Sequence, residues 1–142
     1  MPRRLLAALC LIATLLPAVA GGGDSRIAVI VHPDRRDALD VATIARIYLR
    51  QRRFWDDGSP VLPVNREAGA ALRERFSMRV LGNTSEQLAS YWNAQYFHGV
   101  LPPATLSSSQ SIRRFVASEL DAIGYVEADA VDASVRVALT LD

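Results

Sequence analysis

Hydrophobic positions along the chain change period several times, and each change marks an element. Ile27-Ala28-Val29-Ile30-Val31 is a short, unbroken apolar run rich in β-branched residues, the signature of a buried strand. His32-Pro33-Asp34 ends it. Asp40 is placed to cap a helix whose apolar positions Val41, Ile44, Ile47 and Tyr48 share one face. Arg50 to Arg53 form a basic patch on a loop, and Trp55-Asp56-Asp57-Gly58 reads as a turn. Val61-Leu62-Pro63-Val64 predicts a second strand, with Pro63 pointing to an edge position or a strand end.

Glu67 then opens a predicted helix with Ala71, Leu72, Phe76 and Val80 on its buried face, stopped by Gly82-Asn83. Thr84 and Gln87 have capping-box spacing, and Leu88, Tyr91, Trp92 and Tyr96 mark the packed face of the helix that follows. Gly99 to Pro103 is a break. Ser107 and Gln110 form a second capping box ahead of Ile112, Phe115 and Val116. Ile123-Gly124-Tyr125-Val126 predicts a strand, and Val135 to Leu139 another. The order is strand, helix, strand, three helices, then strands, which is an α/β layered architecture.

The N-terminus has a different character. Arg3 and Arg4 precede an apolar run, Leu5 to Leu16, broken only by Thr14; Pro17, Ala18-Val19-Ala20 and Gly21-Gly22-Gly23 follow. A positive start, a short apolar stretch and a small-x-small motif predict a secretory signal peptide over 1–20, cleaved after Ala20. The run is short for a membrane span, which needs about 20 apolar residues. The expected organisation is therefore signal peptide 1–20, flexible N-terminus 21–25 and one domain over 26–142, periplasmic and with no stable membrane insertion. Cys10 is the one cysteine and lies within the leader, so the exported domain is expected to have no disulfide and no thiolate metal site.

Charge narrows the partners. The chain carries 16 basic and 15 acidic residues, and every basic residue is arginine. With no net basic field, nucleic acid is not an expected partner. Each cationic contact is a planar fork suited to carboxylate or phosphate.

One junction carries chemistry. A strand expected to end at Val64 leads through Asn65-Arg66-Glu67-Ala68-Gly69-Ala70 into a helix. Amide groups of a first helical turn lack internal partners and, with the helix dipole, favour an anion. Arg66 is placed to add a charge-assisted fork, Gly69 leaves room for close approach, and Arg73 follows one to two turns on. The ligand-binding set is Asn65, Arg66, Glu67, Ala68, Gly69, Ala70 and Arg73. Against it, Glu67 is an ordinary helix-start residue whose charge opposes an anion, and the two arginines are equally able to pair with surface acids. His32 and His98 are too few for a metal site, and Asp56-Asp57-Gly58 lacks the later acids of a calcium loop. No cofactor, metal or catalytic residue is expected: no nucleophile–base pair can be placed, so the chain does not read as an enzyme.

Five segments together resemble the small phosphate ABC transporter substrate-binding proteins, a family with the periplasmic-binding-protein-like fold, type 2. They are Ala28 to Pro33; Ile44 to Gly58; "PVNREAGAALRERF" from Pro63 to Phe76; "YWNAQYFHG" with "LPP"; and "AIGYV" from Ala122 to Val126. The resemblance spans Arg26 to about Val137. It implies a mixed sheet flanked by helices, of one-lobe size, with no enzymatic activity, holding phosphate or a related oxyanion for an ABC importer, with an inner-membrane permease or a sensor as partner. It places Arg66 and Gly69 on the family's anion-contacting arginine and glycine, and Arg73 on its downstream arginine. Ala70 stands where that family carries a serine, and Arg50 where it carries a glycine. The alternative reading is a degenerate binding-protein lobe that serves as a periplasmic interaction or sensor-adaptor module.

Overall fold

Strand β1 (Ile27–Val31) is buried along its whole length, because both faces of the sheet it lies in are covered. The computed structural model describes residues 26–142; the predicted signal peptide, 1–20, and the N-terminus, 21–25, lie outside the described residues. Helix α1 (Val41–Tyr48) follows, and Asp40 caps it by accepting a hydrogen bond from the Thr43 amide at 2.7 Å. Next come β2 (Leu62–Arg66), α2 (Ala71–Phe76) with a π-helical extension over Ser77–Leu81, α3 (Ala89–Phe97), β3 (Ala104–Leu106), α4 (Ser109–Ser118), β4 (Ala122–Glu127) and β5 (Arg136–Leu141).

The five strands form one mixed sheet in the order β3-β2-β4-β1-β5. β2 runs parallel to β3 and β4, and β1 runs antiparallel to β4 and β5. Alternation along the strands builds two cores. Ile27, Val29, Val31, Ile123 and Tyr125 pack with α1, α2 and Trp55 on one side. Ala28, Ile30, Val64, Ala122 and Val126 pack with Ile112 and Val116 of α4 on the other. This is the α/β layered architecture that the chain's periodicity predicts, with the mixed sheet flanked by helices that the family resemblance implies.

Several boundaries differ from expectation. β2 is an interior strand, so of the two places expected for Pro63 it takes the strand end and not the edge: it is the second residue of β2. The Leu62 amide donates to Asp121 on the β4 side, so the donor that Pro63 lacks faces the β3 side, where pairing begins only at Val64. β2 also runs past Val64 to Arg66. The next helix opens at Ala71 rather than Glu67, because Gly69 is left-handed at φ 86° and Ala70 is extended. Ala71 is consequently exposed, while Leu72, Phe76 and Val80 are buried as expected. Helix α4 is capped by Ser108, which accepts from the Ser111 amide, and not by Ser107. β3 is an extra strand that the hydrophobic pattern does not reveal.

The capping box of Thr84 and Gln87 is present, with both reciprocal bonds made at 2.8 and 3.1 Å. The helix beyond it is another matter: α3 buries none of its residues, and Tyr96 and Phe97 stand 66% and 85% exposed. Leu88 and the bond from the Tyr91 hydroxyl to the Leu49 carbonyl hold it in place.

Arg35 knits the loops at the amino ends of β2 and β4. Its buried guanidinium reaches Asp37, Asp57 and Asp121, and lies 4.7 Å from the Trp55 ring. Hydrogen bonds from Ser59, and then from Arg35, hold the Asp57 carboxyl at about 2.

Two outcomes follow. A Cβ at Gly124 would come within 2.5 Å of Ile112 Cγ2 and 3.2 Å of Val116 Cγ2, so Gly124→Ala must push α4 off the sheet. The expected loss is about 1–3 kcal/mol, measured as a drop in denaturation midpoint at unchanged denaturant slope. Asp57 titrates below its unfolded value of about 3.9, so its contribution is complete above that value and is lost as pH falls towards 2. Asp57→Asn should flatten the acid limb of a plot of thermal midpoint against pH.

Candidate functional site

Three parallel strands end side by side, β2 at Arg66, β3 at Leu106 and β4 at Glu127. The carboxyl ends of parallel strands, where the following helices begin, are where open α/β sheets bind ligands. Two helices start here, α2 after the turn 67–70 and α4 after Ser107-Ser108.

Alternation decides which way each side chain leaves β2. Val64 and Arg66 face α4; Asn65 faces the α2 side. Arg66 Nη1 donates to Ser109 Oγ at 3.0 Å, in the first turn of α4. Its other two nitrogens make a fork on Glu67, Nε to Oε2 at 3.3 Å and Nη2 to Oε1 at 3.1 Å. Ser109 in turn donates to Glu127 Oε2, and Glu127 Oε1 lies 4.0 Å from Arg66 Nη1. The guanidinium is thus shared between two carboxylates and a hydroxyl. The Glu67 hydrogen bond raises the Arg66 pKa above its ordinary value, against the opposing effect of burial, and Arg66 holds the Glu67 carboxyl below the usual range.

On the opposite face the Tyr125 hydroxyl donates to Asn65 Oδ1 and accepts from the Arg66 amide at 3.3 Å. Burial pushes the Tyr125 phenol up to about 12, so it remains a donor at neutral pH. Its ring stacks on Phe76 with centroids 3.8 Å apart, which anchors α2 to the sheet. Arg73 reaches back from α2, and its Nη1 donates to the Arg66 carbonyl at 3.0 Å. That bond ties the turn across its base.

The fold that carries this arrangement has solved counterparts. A protein from Clostridium perfringens described as a phosphate ABC transporter substrate-binding protein, solved with bound phosphate, is 26% identical with a TM-score of 0.63, over 81% of this chain and 45% of that one. An ABC-type phosphate transport receptor from Vibrio cholerae is 20% identical with a TM-score of 0.66, over 81% and 46%. PstS from Borrelia burgdorferi is 12% identical with a TM-score of 0.59, over 80% and 47%. This chain has the fold of the phosphate-type substrate-binding proteins. It spans less than half the length of those structures. The solved neighbours are binding proteins rather than enzymes. No sequence-family profile matches the chain, and no curated protein matches it by sequence. Among the described residues no helix is long and apolar enough to cross a membrane.

Within this phosphate-type fold the seven residues singled out in the sequence separate into three groups. Arg66 and Glu67 lie together and face α4. Asn65 and Arg73 brace the turn from the other side. Ala68, Gly69 and Ala70 shape its path, and Ala70, at the N-cap of α2, offers no side-chain bond to the first-turn amides. Ser109 and Glu127 were not among the seven. Ser109 falls in a serine tract that reads as a cap, and Glu127 closes a strand with nothing local to mark it; the parallel pairing of β2 with β4 is what brings both to Arg66. Asp56 and Asp57, which faintly suggest a calcium loop, face Arg52 and Arg35 instead.

Ser109→Ala removes the hydroxyl between Arg66 and Glu127. It should cost about 1 kcal/mol, the net worth of a typical hydrogen bond, read as a lower thermal midpoint. The loss should shrink in a Glu127→Gln background, because the two bonds belong to one network.

Proposed function

We propose that this protein is an exported, periplasmic, one-lobe solute-binding protein that holds phosphate or a related oxyanion at the carboxyl ends of β2, β3 and β4. The observation that carries the reading is the Arg66 guanidinium meeting Ser109 in the first turn of α4, on a fold shared with a protein solved with bound phosphate. Arg66 is the anion clamp. Ser109 supplies a hydroxyl in place of the one that Ala70 lacks. Gly69, Ala68 and Ala70 carry the turn past the ligand, and Asn65 and Arg73 hold it in register.

Glu67 competes for the same fork. It is the half-exposed member of the pair, so an incoming anion displaces it toward solvent. Glu127 remains facing the site, and a carboxylate there accepts a hydrogen bond only from an oxyanion that still carries a proton. Phosphate carries one at neutral pH and sulfate does not, so the site favours phosphate. A loaded lobe would be presented to an inner-membrane ABC permease or a sensor.

A second reading is favoured by one observation: the Arg66 fork is already filled by Glu67 while no residue of the turn offers a hydroxyl. On that reading the lobe no longer binds a small molecule and serves as an interaction or sensor-adaptor module.

Thermal unfolding of the purified exported protein separates the two. Phosphate at about 100 times its dissociation constant adds about 2.7 kcal/mol, a rise of roughly 8–15 °C for a domain of this size. Sulfate should do less. Arg66→Gln should abolish the phosphate shift, and Glu67→Gln should tighten binding by up to about tenfold, or about 1.4 kcal/mol, by removing the competitor. A folded protein that responds to neither anion overturns the binding reading in favour of the adaptor.

A further inference from the structure

Away from Arg66, a cleft of about 410 Å³ opens between the start of β2, the loop over 99–104 and Phe115 of α4. None of the seven candidate anion-site residues lines it. Its walls are largely apolar: Val61, Leu62, Val64, Pro103 and Phe115 contribute, and Leu101 stands 62% exposed at the margin. Two arginines, Arg50 and Arg53, also line it.

Both cations lack a carboxylate among the described residues. The acids nearby in sequence are committed elsewhere, Asp56 to Arg52, and Asp37 and Asp57, with Asp121, to Arg35. Arg50 makes one long bond, Nη1 to the Val61 carbonyl at 3.4 Å, which leaves most of its donors free. Burial first, and then the charge of Arg53, lower its pKa below the ordinary arginine value. Two like charges are being held together beside an apolar wall with nothing to neutralise them.

The end of α1 places Arg50. It is the one described residue other than glycine with a positive φ, at 60°, because it closes the helix: its amide donates to the Ile47 carbonyl at 3.0 Å and the Gln51 amide to the Arg46 carbonyl at 2.8 Å. Glycine would take that left-handed position at lower cost. The arginine that stands there lines the cleft.

We propose that this cleft is a second binding site, and that it takes a small apolar molecule ending in one carboxylate, such as a medium-chain or arylalkyl acid. Its volume falls within the range of small-molecule sites. The guanidinium fork matches the two coplanar oxygens of a carboxylate, and the apolar walls take the body of the molecule. Inorganic phosphate fits poorly, because it has no apolar part to bury. A peptide tail fits poorly as well: the loop beside the edge strand β3 contains Pro102 and Pro103, which have no amide hydrogen with which to pair an added strand.

The test is a titration of the purified exported protein with octanoate, followed through the backbone amide signals of Arg50, Val100 and Leu101. The expected result is saturable shifts of these signals, at least about tenfold weaker binding of octanamide, and the same response in Arg66→Gln. The Arg50→Gly/Arg53→Gln double variant should lose at least about tenfold in octanoate affinity while its thermal midpoint stays level or rises, since glycine relieves the left-handed position. Equal binding of octanoate and octanamide, an unchanged affinity in a folded double variant, or no shift of these amides up to about 10 mM overturns the proposal. So does a hydrophobic peptide with a free C-terminus that binds here when octanoate does not. Because inorganic phosphate is read through Arg66 and octanoate through Arg50, failure of one site leaves the other assignment standing.

Discussion

Helix α4 can lie against the sheet only because β4 has no side chain at Gly124. The distance at stake is short: Ile112 Cγ2 occupies the space where a Cβ would be, with Val116 and Val64 close behind. The arrangement of the proposed anion site depends on this contact. With α4 seated, Ser109 meets Arg66, and the chain leaving α4 returns as β4 beside β2, which brings Glu127 to the same place. A methyl group at position 124 would therefore be felt at Ser109 and Arg66, because close-packed layers transmit strain.

The chain uses one cation type and puts it in three electrostatic states. Arg35 is saturated, buried among three carboxylates and a tryptophan face, and its role is to join loops. Arg66 is partly satisfied; its fork is closed by Glu67, a residue exposed enough to be displaced. Arg50 and Arg53 have no carboxylate partner among the described residues. Net contributions to stability fall along that series while the capacity to bind something external rises, since a guanidinium already held by fixed carboxylates has nothing left to offer a ligand. Function is therefore to be sought away from the saturated end of the series: the proposed anion site lies at its middle, where a displaceable carboxylate holds the fork, and the proposed cleft site at its unsatisfied end.

Local signals were legible where local physics decides. The all-apolar β1, the Asp40 cap, the Thr84–Gln87 box and the Gly124-centred strand each follow from the residues that form them. Elements whose existence depends on a distant partner were not legible. β3 has three residues and an unremarkable composition, and it exists because β2 offers it a parallel edge. Pro63 suggested an edge or a strand end; it lies near the start of an interior strand, tolerated because pairing with β3 begins one residue later. Gly69 moved the helix start from Glu67 to Ala71 by adopting a left-handed turn that spacing does not encode. The candidate site shows the same division. Arg66 was found from its own neighbourhood, whereas Ser109 and Glu127 come from 43 and 61 residues downstream, and only the sheet order brings them in.

This chain matches less than half the length of the solved proteins of this fold. The proposed one-lobe site would work against solvent on its open side, where each charge pair is worth a small fraction of its value in a closed cleft. Under that condition a turn hydroxyl adds little, and a preset clamp adds more. The arrangement around Arg66 follows that logic. Glu67 keeps the guanidinium aimed while the site is empty, Ser109 and Glu127 fix its height above the sheet, and Arg73 and Tyr125 stiffen the backbone beneath it. On the proposed reading the ordering of the site is accomplished during folding, which would leave displacement of one exposed carboxylate as the main step for an arriving anion.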